Sequence, residues 1–126
     1  MTQMSLTVGL GTRSYDITIG PGLINRAGTM LGEIAAHRHI IIISDDQVAP
    51  LHLQRLLNGF SPVARKLDQF VVAAGEASKS MAVLTRLLDD ILAIGVDRSA
   101  LLVAFGGGMI GDLVGFAAAS LLRGVD

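Results

Sequence analysis

Three short apolar runs, His39 to Ile43, Phe70 to Val72 and Leu101 to Phe105, are each followed by a loop and then by a helix-forming segment. A continuous apolar run of this length suits a strand buried on both faces. Strands that alternate with helices join as parallel βαβ units, and right-handed crossovers leave helices on both faces of the sheet. The helical segments can be read individually. Leu23, Ile24, Ala27, Met30, Leu31, Ile34 and Ala35 form one stripe at spacings of three and four. Pro50 starts a second helix through Leu57, where its missing N–H costs nothing. Ser78 or Ser80 caps a third, with Met81, Leu84, Leu87, Leu88, Ile91 and Leu92 as its apolar stripe and Gly95 just past its end. The fourth runs from about Ile110 to Leu122 and stops at Gly124. Ahead of all these, Ser5 to Leu10 and Tyr15 to Ile19 alternate around Gly11-Thr12-Arg13, which predicts a β-hairpin. The expected architecture is one α/β domain over residues 1–126. It is an open, Rossmann-like, mostly parallel sheet with helices on both faces and an N-terminal β-hairpin.

Composition narrows the function. A chain that is 51% hydrophobic and 17% charged is not a disordered one. A net charge of -1 without a basic run gives no electrostatic footprint for nucleic acid. With no cysteine there is neither a disulfide framework nor a thiolate metal site. The uncharged stretch Ser99 to Gly111 is 13 residues long, short of the ~20 a membrane-spanning helix needs. The N-terminus lacks the pattern of a secretory signal. A soluble, cytoplasmic protein is expected, with no membrane partner.

The densest chemical signal is Ala104-Phe105-Gly106-Gly107-Gly108-Met109-Ile110-Gly111-Asp112. Glycines at 106, 108 and 111 match G-x-G-x-x-G between a strand and a helix. Missing side chains let the main chain approach a phosphate, and the helix N-terminus offers unpaired N–H groups to it. The same glycines also serve a tight strand–helix connection. Asp112, expected in the first helical turn, is either a carboxylate favoured by the helix dipole or one aimed at a ligand. Arg123, expected in the last turn, is either a dipole-favoured cation or a clamp for an anionic substrate. Gly75-Glu76-Ala77-Ser78-Lys79 opens a helix after a strand, where open α/β sheets place ligand loops. Asp45 follows another strand end, in the polar loop Ser44-Asp45-Asp46-Gln47. His37, His39 and His52 lack metal-ligand spacing.

Taken together these segments resemble the 3-dehydroquinate synthase family. The resemblance rests on Tyr15-Asp16-Ile17-Thr18-Ile19-Gly20-Pro21-Gly22, Ser44-Asp45-Asp46-Gln47-Val48-Ala49-Pro50-Leu51 and Gly75-Glu76-Ala77-Ser78-Lys79. It continues from Val103 to Ser120 through the glycine loop, and ends on Leu122-Arg123-Gly124. Met109, where the family usually has valine, and Gln47, where asparagine is common, depart mildly from its pattern.

The resemblance implies an NAD-binding α/β domain followed by a mostly helical, metal-carrying domain that is absent here, so truncation from a two-domain enzyme is expected. It implies that Asp45, with Gln47, lies near the adenosine of NAD. Gly75, Glu76, Ser78 and Lys79 would hold the ribose region. Gly107, Gly108 and Met109, continuing into Ile110 and Gly111, would face the pyrophosphate. Asp112 would sit at the nicotinamide end with a catalytic role, and Arg123 would contact substrate. The implied reaction converts a sugar-acid phosphate, 3-deoxy-D-arabino-heptulosonate 7-phosphate, to 3-dehydroquinate and phosphate, with transiently reduced NAD and a zinc or cobalt ion whose ligands lie outside this chain. Without its partner domain this chain is expected to be inactive and to self-associate, as a homodimer or larger. Another sugar-phosphate cyclase, a metal-dependent polyol dehydrogenase and a stand-alone dinucleotide-binding module are the alternatives.

Overall fold

The computed structural model describes residues 2–126. The chain forms a hairpin of β1 (Met4–Val8) and β2 (Tyr15–Ile19), a short helix α1 (Ala27–Leu31), then β3 (His39–Asp45), α2 (Gln54–Phe60), β4 (Lys66–Val72), α3 (Met81–Ala93), β5 (Leu101–Phe105) and α4 (Gly108–Ser120). Strands β4, β3 and β5 lie side by side in that order, both pairings parallel. β1 and β2 make a separate antiparallel ribbon. The expected α/β architecture, with its parallel sheet and hairpin, is what the chain adopts.

β3 is the centre of the fold, and all seven of its residues are buried. Successive side chains of a strand point to opposite faces. Ile41 and Ile43 pack with Leu84, Leu87 and Ile91 of α3 and with Met109, Ile110, Leu113 and Val114 of α4. Ile40 and Ile42 pack on the other side with Leu53 and with Leu56 and Phe60 of α2. The two cores are therefore sorted by the parity of one strand, and each buried isoleucine contributes roughly 1.5–3 kcal/mol. At the amino-terminal edge of the sheet, Arg38 donates to the carbonyls of Ile34 (3.2 Å), Ser99 (2.8 Å) and Ala100 (3.0 Å), tying the segments that lead into β3 and β5 together.

Several boundaries differ from the sequence reading, each for a local reason. β3 runs on through Ser44 and Asp45, expected as loop, because the ladder continues to Asp45 opposite Val72 and the Ser44 hydroxyl donates to the Phe105 carbonyl at 2.7 Å. β4 starts at Lys66 rather than Phe70, since its edge position tolerates polar residues. β1 spans Met4–Val8 rather than Ser5 to Leu10. The single helix expected from Leu23 to Ala35 is instead a 3₁₀ turn, the five-residue α1 and another 3₁₀ turn. Gly32, at φ +56°, breaks its helical course.

In α3 the cap is Ser80, whose hydroxyl accepts from the Val83 N–H at 3.2 Å. Leu84, Leu87 and Ile91 are buried, but Met81 (70% exposed) and Leu92 (48%) fall outside the stripe. α4 begins at Gly108, not Ile110, and ends at Ser120. Beyond it Leu122 and Arg123 adopt positive φ, so Arg123 is not in the helix's last turn.

Truncating Ile41 to alanine is expected to lower the unfolding free energy by about 2–5 kcal/mol, whereas Leu92→Ala changes it by less than about 1 kcal/mol. Urea denaturation followed by circular dichroism checks this; equal losses at the two positions would contradict the packing described.

Candidate functional site

α2 leaves β3 over one face of the sheet, and α4 leaves the adjacent β5 over the other. The two connections diverge and open a crevice at the carboxyl ends of neighbouring strands, where open α/β sheets bind ligands. Asp45 stands at that edge, nearly buried. One of its oxygens, Oδ1, accepts from the N–H groups of Gln47 (2.9 Å) and Val48 (2.8 Å), which fixes the turn after β3. The other, Oδ2, lies beside Gly106, 3.3 Å from where a Cβ on that glycine would sit.

The glycine loop separates into two kinds of position. A Cβ at Gly106 would come within 2.9 Å of Ile110 Cγ1, so internal packing demands glycine there. Gly107, Gly108 and Gly111 have nothing within 4 Å of a built Cβ, and none has a positive φ. Nothing inside the molecule needs glycine at these three positions. Their absent side chains leave free space around the start of α4.

That helix end is uncapped by any side chain. Its first internal bond runs from the Gly111 N–H to the Gly107 carbonyl at 3.1 Å. The N–H groups of Gly108, Met109 and Ile110 therefore precede the ladder, next to the open space at the glycines. The Met109 and Ile110 side chains are buried in the core, so these residues offer main chain only. A helix N-terminus with free N–H groups and an open approach is a site for an anion such as phosphate.

The loop after β4 supplies the other wall. Lys79 Nζ donates to Asp112 Oδ2 at 2.9 Å and lies 3.3 Å from Glu76 Oε2, so three expected ligand residues form one exposed cluster. Asp112 is the fifth residue of α4, one turn later than expected, because the helix begins at Gly108. The hydrogen bond to Asp112, then the one to Glu76, raises the Lys79 pKa above its ordinary value. Gly75 holds φ +105° at the loop's turn. Ser78 is buried, and its hydroxyl donates to the Ala73 carbonyl at 2.5 Å, so it braces the loop. Beside the cluster is a cavity of about 320 Å³ walled by Met81, Leu84, Leu113 and Phe116.

Not every expected residue is brought here. Gln47 is exposed at the turn held by Asp45. Arg123 lies past the opposite end of α4, whose 13 residues span roughly 20 Å. His39 is buried at the other edge of the sheet, with Nε2 2.6 Å from Asp68 Oδ2. A larger hollow of about 770 Å³ lies between the polar face of the hairpin and α1, floored by Leu56 and Phe60 of α2 and by Val103 and Phe105 of β5. The sequence reading passed over Asp46, whose carboxylate accepts from the Ala74 N–H at 3.0 Å. A polar residue in a polar loop carries no periodic signal.

Fold and site together define a Rossmann-like α/β domain of the kind found in the sugar-phosphate cyclases. Over 97% of this chain it superposes on a 2-deoxy-scyllo-inosose synthase complexed with carbaglucose-6-phosphate, NAD+ and Co2+, with a TM-score of 0.84, 23% identity and 33% of that chain covered. A 2-epi-5-epi-valiolone synthase from Streptomyces hygroscopicus, solved with NAD+ and Zn2+ bound, gives 0.70 at 31% identity over 94% of this chain and 32% of that one. Residues 69–126 match the family model described as 3-dehydroquinate synthase N-terminal. The 3-dehydroquinate synthase of Rhodospirillum rubrum is 51% identical over 121 residues, covering 96% of this chain and 31% of that protein. That of Agrobacterium fabrum is 46% identical over 94% of this chain and 31% of its own length. The chain is thus similar to the N-terminal part of the 3-dehydroquinate synthases, and it spans about a third of the length of the relatives it matches.

Because the folded-state pKa of Lys79 lies above its unfolded value, the pairing contributes in full below the ordinary lysine pKa and is lost as pH rises through the raised one. Asp112→Asn is expected to move the Lys79 midpoint down toward that of a free lysine in an NMR titration of its side-chain nitrogen. An unmoved midpoint would contradict the pairing.

Proposed function

We propose that the chain is the NAD-binding part of a 3-dehydroquinate synthase. The observation that carries this reading is the glycine cradle: three glycines for which the molecule has no internal use, set around free helix N–H groups in the sheet's crevice. That is the shape a dinucleotide pyrophosphate fits. The N–H groups of Gly108, Met109 and Ile110 would receive it, with Gly107 and Gly111 leaving the approach clear. Asp45, through its second oxygen, and Gln47 would meet the adenosine side. Glu76 and Lys79 would hold ribose hydroxyls, while Gly75 and Ser78 shape the loop that carries them. Asp112 would face the nicotinamide end. Bound there, NAD would supply a hydride acceptor and donor for transient oxidation of a substrate hydroxyl.

The residues' own work is binding and orientation. The start of α4 balances anionic charge, and Lys79 holds Asp112 and Glu76 in place until a ligand's hydroxyls compete for them. Among the described residues no three His, Asp or Glu side chains converge on a metal. The Zn or Co of the whole enzyme therefore finds no fit within them.

The reading extends to the longer relatives. The complete protein would act as a phosphate-eliminating carbon–oxygen lyase on 3-deoxy-D-arabino-heptulosonate 7-phosphate, yielding 3-dehydroquinate for aromatic biosynthesis in the cytoplasm. Arg123 would contact that substrate. This chain alone would not turn it over, because the domain carrying the metal would have to close on the same crevice. It would also pair with a second copy, since Met4, Leu6, Ile17 and Ile19 stand exposed on the hairpin. No helix among the described residues is long and apolar enough to cross a membrane.

Calorimetric titration of the purified chain with NAD tests the proposal. Saturable binding is expected, weakened at least about tenfold by Gly108→Val with little change in unfolding midpoint, because the new side chain meets only open space. Absence of NAD binding, or equal affinity in the variant, would overturn it.

A further inference from the structure

Two loops of the proposed NAD site are joined by one side chain. Asp46 sits at the carboxyl end of β3, directly after Asp45. Its N–H donates to the Val72 carbonyl at 3.0 Å, and its Oδ1 accepts from the Ala74 N–H, also at 3.0 Å. Both bonds run to the end of β4 and the loop that leaves it. From Ala73 to Lys79 that loop is bonded internally: Ser78 Oγ to the Ala73 carbonyl (2.5 Å), Ser78 N–H to the Gly75 carbonyl (3.1 Å), and Lys79 N–H to the Glu76 carbonyl (3.0 Å). It therefore moves as a piece. Asp46 holds this piece at its start, and the Lys79–Asp112 hydrogen bond meets α4 at its end. Asp45, one residue before, turns the opposite way and closes the β3 turn on itself.

We propose that Asp46 is a positioning residue for dinucleotide binding: by fastening Ala74 to the end of β3, it sets where Glu76 and Lys79 stand relative to Asp45 and Asp112. Resting on the NAD reading above, it adds a residue that touches no ligand in that reading. The internal bonds fix the loop's shape, with Gly75 turning inside it at φ +105°, but they do not fix its placement on the sheet; the Asp46–Ala74 hydrogen bond at its start does that. The bond is exposed, so its removal should loosen the loop without unfolding the sheet.

The discriminating comparison is Asp46→Ala against Asp46→Asn in the 126-residue chain, since asparagine keeps an acceptor oxygen. Amide hydrogen exchange across residues 73–79 is read without ligand, NAD affinity by calorimetry, and stability by thermal unfolding. In Asp46→Ala, exchange in the loop is expected to rise about fivefold and NAD affinity to fall about fivefold, with the unfolding midpoint nearly unmoved. Asp46→Asn should restore both. Unchanged loop exchange in Asp46→Ala would overturn the proposal, as would faster exchange with unchanged NAD affinity or a failure of asparagine to rescue. If the unsubstituted chain does not bind NAD, the ligand reading fails and the positioning role with it, a result distinct from any difference between the variants.

Discussion

Everything in this fold is registered against β3. Four consecutive isoleucines, each fully buried, send alternate side chains into two cores, and a slip of one residue would exchange the contents of both. That strand decides which helix covers which face. Because α2 and α4 end up on opposite faces after neighbouring strands, the crevice at their carboxyl ends follows from the packing. The site is a consequence of burying isoleucine on both sides of one strand.

What occupies the crevice's rim is then a matter of local chemistry. The Gly106 position is filled from inside by Ile110 and bordered by Asp45. Gly107, Gly108 and Gly111 border open space. Beside them, an ion-paired cluster of Glu76, Lys79 and Asp112 spans the gap between the loop after β4 and α4. One wall offers N–H donors and partial positive charge, the other carboxylates and an ammonium group. A dinucleotide, with an anionic centre and hydroxyl-bearing ends, has the complementary pattern.

Legibility in the sequence tracked the range of the interaction. β5 and the glycine triplet could be read because both signals are contiguous, and the pairing of helices with strands followed from short apolar runs. The residues Lys66 to Gln69 of β4 could not, since an edge strand need not alternate cleanly. The broken helix at Gly32 was hidden by a stripe with good helical spacing but incomplete burial, Ile34 being 56% exposed. The start of α4 at Gly108, which puts Asp112 in the second turn, has no capping side chain at Gly107 and so leaves no local mark in the sequence. The positive φ of Arg123 has no signature in an arginine codon's neighbours, and its distance from the glycine loop shows only in three dimensions. Asp46 was passed over because its partner is a main-chain N–H 28 residues away.

The central claim is that three loops, after β3, β4 and β5, form one dinucleotide site. The most direct test is an amide NMR spectrum of the labelled chain titrated with NAD. Saturable shifts are predicted at Asp45 to Val48, Ala74 to Lys79 and Gly106 to Gly111, fitted by a single dissociation constant. Shifts confined to the hollow between the hairpin and α1, around Ser5, Thr18 and Met30, would contradict the account.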